Sequence, residues 1–179
     1  MNIEIILLAD LPEKDCEQAV NVLAIWNFNE WHKYDNTVTI EGSRQNFIKR
    51  SLNKDNLPLT LIAIDKDFVK IEDSVVGMVT LKKSIPVPGY DDKTPWLGSL
   101  LVLENYRNNG IGTKLVNHAN RLAIHLGFKE IFLFTSNSFI PSWYSSENRG
   151  WEILNKDTYP KEDPKEHQIT IMKKKLILT

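Results

Sequence analysis

Residues Trp96 to Leu115 read WLGSLLVLENYRNNGIGTKL, and this stretch decides the fold. An apolar run long enough for an inner strand gives way to a bend holding two asparagines and two glycines. An amphipathic run follows, with Ile111, Leu115, Val116, Ala119, Leu122 and Ala123 near helical spacing, which predicts a helix from about Gly110 to His125. Gly127 is placed to cap its end. KEIFLFT then reads as a further strand, so the bend sits inside a β-α-β unit.

Upstream, Asn2–Leu8 predicts a first strand. Asp10-Leu11-Pro12-Glu13 has the cap, proline and acid of a helix start, and that helix is expected to reach about Asn29. SRQNFIKRSLN predicts a second, short helix. LPLTLIAID and SVVGMVTLKK read as an antiparallel pair around the polar loop KDFVKIED, and SIPVPGYDDKTP is a proline-rich loop. Downstream, SNSFIPSWYSSENRG reads as a helix or irregular turn, GWEIL as a short strand and KDTYPKEDPKE as a loop. HQITIMKKKL is a last strand, with Lys173–Lys175 expected at the solvated end of a sheet edge.

Composition narrows the function classes. The chain has 179 residues, enough for one well-filled domain, and one domain over 1–179 is expected. Lys and Arg total 22 against 23 Asp and Glu, a net charge of -1, which gives no sign of a nucleic-acid surface. The single Cys16 excludes an internal disulfide, and the four histidines lack metal-ligand spacing, so no metal is expected. MNIEIILLADLPEKD lacks the basic flank and apolar length of a signal peptide, and no run approaches a membrane span. The expectation is a cytoplasmic protein without a membrane partner.

The bend has the makings of an anion site. A helix start presents N–H groups and the positive end of the dipole, and glycine lets the backbone approach a phosphate. Arg107 offers a charge-assisted contact. GIGTKL does not supply the Gly-Lys-Ser/Thr ending of a P-loop. A dinucleotide loop requires a small residue where Leu115 stands and an acid at the end of the next strand, whereas Glu130 begins it. A tight turn without a ligand is the bland alternative.

VLENYRNNGIGTKL resembles the acetyl-CoA motif of the GNAT N-acetyltransferase superfamily, in which Arg/Gln-x-x-Gly-x-Gly/Ala follows a central strand. Arg107, Gly110 and Gly112 carry the match, with Val102 and Tyr106 ahead of them at the family's spacing. The element order also follows the GNAT layout. So does a downstream run of Asn137, Trp143-Tyr144 and Gly150-Trp151, with seven residues from Asn137 to Tyr144. The resemblance implies an α/β (α+β) fold, with a mixed, mostly antiparallel twisted sheet of about six to seven strands. About four helices would flank it, and strands would splay at the cofactor site.

It also implies roles. The backbone of Arg107, Asn108, Asn109, Gly110, Ile111, Gly112 and Thr113 would hold the pyrophosphate of acetyl-CoA. The pantetheine arm would pair with Leu100, Leu101 and Val102, whose other reading is ordinary sheet core. Asn137 would be a further cofactor contact or a loop cap. Tyr144 would protonate the departing thiolate as general acid, or else pack beside Trp143 and Trp151. Tyr144 to Gly150 is two residues longer than the common spacing.

Some relatives carry a strand carboxylate as base, but counting back from the loop reaches Trp96. Glu30, His32, Asp35, Glu41, Asp91 and Asp92 remain as bases. Trp26, Phe28, Trp31, His32 and Tyr34, with acids among them, suit a cationic amine or simply pack into the core. The implied activity is acetyl-CoA-dependent acetylation of a primary amine, small-molecule or peptide, by direct attack on the thioester. The alternative is a non-catalytic acyl-CoA-binding sensor or regulatory module. Homodimers are common among such proteins, and a homodimer is within the expectation.

Overall fold

The computed structural model describes residues 1–146, 149–159 and 167–177. The chain divides into two compact units, Met1–Leu81 with Ser99–Ala119, and Lys82–Gly98 with Asn120–Thr179.

In the first unit, β1 (Ile3–Leu7), β2 (Leu59–Asp65) and β3 (Val75–Lys82, all but its last residue) pair antiparallel, with Ile5 opposite Ala63 and Ala63 opposite Gly77. β2 and β3 are buried almost throughout, which explains their unbroken apolar runs. α1 (Glu13–Trp31) turns Ala19, Val20, Leu23 and Ala24 onto a core with Leu8, Phe47, Ile62, Ile71, Val75 and Met78. Asp10 is not the cap expected of it. Pro12 stands at the cap position with no side-chain bond, and Asp10 instead pairs with Lys54 at 2.7 Å. Proline there pre-sets the helical entry without needing a capping oxygen.

α2 (Ile40–Ser51) starts three residues before the expected run, because the Thr39 hydroxyl accepts the Gly42 N–H at 3.0 Å and caps it. The Asn27 amide donates to Ser43 Oγ at 2.9 Å and ties α1 to α2. At the end of KDFVKIED the chain makes a four-residue helix, α3 (Ile71–Ser74), where a plain loop and the first residue of the next strand are expected. Ile71 and Ser74 are buried there, so tertiary packing shapes the turn.

In the second unit, the first residues of β4 (Trp96–Val102) pair parallel with β5 (Glu130–Thr135), Trp96 opposite Phe132. β5 pairs antiparallel with β7 (His167–Lys175), and β7 with β6 (Glu152–Tyr159). Val87, Trp96, Phe132, Ile169 and Ile171 form the core. β7 is therefore an inner strand as far as Lys173, which corrects the edge expected there, while Lys174 and Lys175 run past β6 and pair with β5 alone. Lys173 lies opposite both Phe132 and Glu152, and Lys174 Nζ donates to the Arg149 carbonyl at 2.5 Å. β6 is the edge strand, and it runs on through Tyr159 where GWEIL alone is expected. The rest of KDTYPKEDPKE lies outside the described residues.

α4 (Ile111–His125) ends as expected. Gly127 takes φ 86, its N–H reaches the Ile124 carbonyl, and the Phe128 N–H reaches Ala123. α5 (Ile140–Tyr144) is one short turn. Along the sheet the strands follow the order β1-β2-β3-β4-β5-β7-β6, mixed and mostly antiparallel, as expected. Five α-helices occur among the described residues, one more than expected, and none is long and apolar enough to cross a membrane.

Candidate functional site

The glycine bend lies in the first unit. After β4, Glu104–Tyr106 make one turn of 3-10 helix, and Asn108 and Gly110 then both take the left-handed region, at φ 63 and 75. Asparagine tolerates that region better than other side chains, so the composition of RNNG follows from its backbone path. Asn109 Nδ2 donates to the carbonyls of Arg107, at 3.0 Å, and Tyr106, at 3.3 Å, and closes the bend on itself. Arg107 Nε donates to the Val102 carbonyl at 3.0 Å, so this arginine braces the end of β4 while its side chain stays exposed.

Lys114 N–H closes onto the Gly110 carbonyl at 3.0 Å, and the first-turn N–H groups at Ile111 and Gly112 precede any intrahelical acceptor. A Cβ built on Gly110 meets nothing within 4 Å, so the approach is open there. Arg107, Lys114 and Arg121 occur between Asn105 and His125, and no acid does. A 15-residue helix dipole adds to that positive field.

β4 itself is interrupted just before the expected pantetheine strand. Ser99 takes φ 52, left-handed for a residue with a side chain, and this kinks the strand ahead of Leu100, Leu101 and Val102. These three are half-buried. On the β3 side, Leu103 N–H reaches the Val76 carbonyl at 3.0 Å. Gly77 lets the strands close up, because a Cβ there would stand 3.0 Å from the Leu101 oxygen and 3.1 Å from Leu115 Cδ1.

Tyr144 and Asn137 belong to the second unit. Tyr144 is 4% exposed and meets Trp143 and Trp151 edge to face, with centroids 4.8 and 5.2 Å apart. Burial pushes its hydroxyl well above the usual phenol range, and the Arg149 charge opposes that shift. Asn137 is exposed, and its Oδ1 accepts the Phe139 N–H at 2.9 Å, the loop-capping geometry.

The acetyltransferase (GNAT) family profile matches residues 17–150. The chain belongs to the GNAT family. It is similar in fold to yncA from Salmonella typhimurium, solved with its cofactor acetyl-CoA, at TM-score 0.68 and 16% identity over 100% of this chain and 96% of that one. An aminoglycoside 6'-acetyltransferase type Ii gives TM-score 0.66 at 19% identity, over 100% and 99% of the two chains. A GNAT-family acetyltransferase from Streptococcus pneumoniae gives 0.66 at 18%, over 98% and 100%. No curated protein matches by sequence.

Within this GNAT chain, most groups able to act as a base already have partners. Glu30 pairs with Lys33 at 3.8 Å, Asp35 Oδ1 accepts from the Thr37 N–H and hydroxyl, and Glu41 accepts from Gln45. Asp92 pairs with Lys93 at 2.6 Å, and Asp91 is exposed. His32 stacks on Phe28 at 4.5 Å with Nδ1 2.8 Å from the Val38 carbonyl. Donation to that carbonyl leaves Nε2 as its basic atom. Trp96, at the place of the strand carboxylate, is fully buried and donates from Nε1 to the Lys93 carbonyl at 2.7 Å. Of the aromatic stretch, Trp26 and Trp31 pack against the core, while Tyr34 is exposed under the Lys33 ammonium. No group of three or more His, Cys, Asp or Glu able to hold a metal occurs among the described residues.

Two features escape a reading of the sequence. Ser99 gives no signal beyond its place after Gly98. Arg149, just ahead of Gly150 in the long turn, is the other; an arginine closing an over-long connection was the available clue.

Proposed function

We propose that this chain is a single-domain, acetyl-CoA-dependent N-acetyltransferase acting on a primary amine. The observation that carries the reading is the bend: two left-handed residues, Asn108 and Gly110, deliver the chain into an acid-free helix start with open space at Gly110. That donor set fits a pyrophosphate. Acetyl-CoA, when bound, supplies the acetyl group as a reactive thioester.

The residues of the chain divide the remaining work. Main-chain N–H groups from Asn108 to Thr113 bind the diphosphate, and Arg107, whose own N–H donates to the Glu104 carbonyl at 3.1 Å, adds positive charge from its side chain. The main chain of Leu100, Leu101 and Val102, which follows the kink at Ser99, would hold the pantetheine arm, and the Val102 N–H would polarise the thioester carbonyl. Asn137, whose Oδ1 already accepts the Phe139 N–H, contacts the cofactor on its pantetheine or adenine side. Tyr144 Oη holds a proton for the sulfur, and burial keeps it protonated throughout the neutral range. The substrate is an amine of small-molecule or peptide origin.

Titration calorimetry with acetyl-CoA, CoA, ATP and NAD tests the reading, on wild type, Gly110→Trp and Asn108→Gly. Acetyl-CoA and CoA should bind wild type and Asn108→Gly, which keeps the left-handed path, and should fail on Gly110→Trp. A screen of amines by thiol release should then find an acceptor. A folded wild-type protein that ignores acetyl-CoA overturns the reading.

Trp96 in place of a strand carboxylate favours a second reading, a non-catalytic acyl-CoA-binding module. Under it CoA binds with no thiol released from any amine.

A further inference from the structure

The connection from Tyr144 to Gly150 exceeds the family's common spacing by two residues, yet its far end is bound back onto α5. The Arg149 N–H reaches the Ser146 carbonyl at 2.8 Å. One terminal nitrogen of its guanidinium donates to the Trp143 carbonyl at 2.9 Å and to Ser146 Oγ at 2.5 Å. The guanidinium carbon stands 3.9 Å from the centre of the Trp143 ring, whose edge-to-face partner is Tyr144. The Arg149 carbonyl is gripped in turn by Lys174 Nζ from β7, at 2.5 Å.

A planar guanidinium is suited to this place. It bonds the helix-terminal carbonyl in its own plane and stacks on an indole with its face, which a lysine ammonium cannot do together. The indole that it covers is one of the two rings that fix the Tyr144 ring. The same side chain puts the positive charge that acts on the phenol within the turn. An over-long connection would otherwise leave the end of α5 free to fray, since a five-residue helix has no interior hydrogen-bond ladder of note.

We propose that Arg149 is a positioning residue for Tyr144, clamping the end of α5 through the Trp143 carbonyl and ring so that the tyrosine hydroxyl is held for proton donation. This rests on the acetyltransferase reading and on Tyr144 as its proton donor.

The test is a double-mutant cycle with the amine acceptor found in the screen, comparing wild type, Arg149→Met, Tyr144→Phe and the double variant. Arg149→Met keeps the aliphatic stem and loses the fork and the charge. Its kcat should fall about tenfold or more, while KM for acetyl-CoA stays within about twofold because residues 107–113 are untouched. In the Tyr144→Phe background the same change should leave kcat unaltered. A merely structural arginine would lower the active fraction equally in both backgrounds.

Equal effects in both backgrounds, or an Arg149→Met enzyme with wild-type kcat, overturn the proposal. Should Arg149→Met fail to fold, Arg149→Lys repeats the cycle with the charge retained and the bond and stack weakened. A wild-type protein that binds acetyl-CoA but acetylates no amine defeats the enzyme reading and this proposal with it. Active wild type with an additive cycle defeats the proposal alone.

Discussion

Replacing Gly77 by alanine perturbs a place where β3 presses directly on the main chain of β4. The added methyl would meet the Leu101 carbonyl oxygen at 3.0 Å, Leu115 Cδ1 at 3.1 Å and Val102 Cγ2 at 3.5 Å. The first two contacts are tighter than carbon atoms ordinarily tolerate. Leu101 O is backbone and cannot rotate away, and Leu115 is fully buried. Relief must therefore come from a shift of β4 itself. Overpacking of this kind costs about 1–3 kcal/mol. Against it stands about 0.4–1 kcal/mol gained because alanine loses less freedom than glycine on folding.

The repulsion wins, and about 1–2 kcal/mol of net destabilisation is expected. For a chain of this size that lowers Tm by roughly 3–6 °C. Thermal unfolding followed by circular dichroism reads the first effect. Calorimetry reads the second, because a displaced Leu101 main chain should weaken acetyl-CoA binding more than ATP or NAD controls reveal. A Gly77→Ala protein as stable as wild type, with unchanged acetyl-CoA affinity, would refute the argument that this glycine exists for close strand approach.

Thr39→Ala removes the α2 cap and should cost about 1 kcal/mol, seen as a lower urea midpoint with no change in acetyl-CoA affinity. Burial alone would raise the Asp65 carboxyl, but the N–H groups of Asn2 and Asp67, the Met1 ammonium and the Tyr106 hydroxyl outweigh it and hold the group below the usual carboxylate range. Its folded pKa is depressed, so its contribution is present above about pH 4 and is lost as pH falls through the folded value. Asp65→Asn should therefore be less stable than wild type at pH 6, with the gap narrowing toward pH 3; a gap independent of pH would contradict this. Tyr144→Phe should lower kcat about 10²-fold with little effect on KM for acetyl-CoA. Because burial raises the phenol, wild type should show no loss of rate from its ionisation up to about pH 10, and a fall there that Tyr144→Phe abolishes would disprove it.

The elements that the sequence foretold are those whose signals are local. β2 and β3 are unbroken apolar runs, and the end of α4 is written in Gly127. The errors fell where a distant residue decides. Asp10 has the chemistry of a cap, but Lys54 takes its carboxylate, and Pro12 begins α1 unaided. Lys173–Lys175 look like a solvated edge because three charges in a row rarely lie inside a sheet. β5 pairs with all three on one side, β6 reaches Lys173 on the other, and Lys174 has the Arg149 carbonyl as an acceptor. Burying the stem while the ammonium finds a carbonyl resolves the conflict.

The proposed site divides along the same line. The bend was legible because backbone demands are met by the residues that feel them: Asn108 and Gly110 are left-handed, and Asn109 closes the turn with its own side chain. Tyr144 was legible as a position and not as an environment. Whether a phenol at that position is a donor or a packing ring depends on its surroundings: Trp143 and Trp151 meet its ring, and the Arg149 charge acts on its hydroxyl. Its burial explains both readings at once. The two indoles that make the ring a core residue also exclude water from it, and a dry phenol keeps its proton. Packing and the proposed proton donation are therefore compatible, and the charge of Arg149 opposes part of the desolvation that makes the phenol a weaker acid.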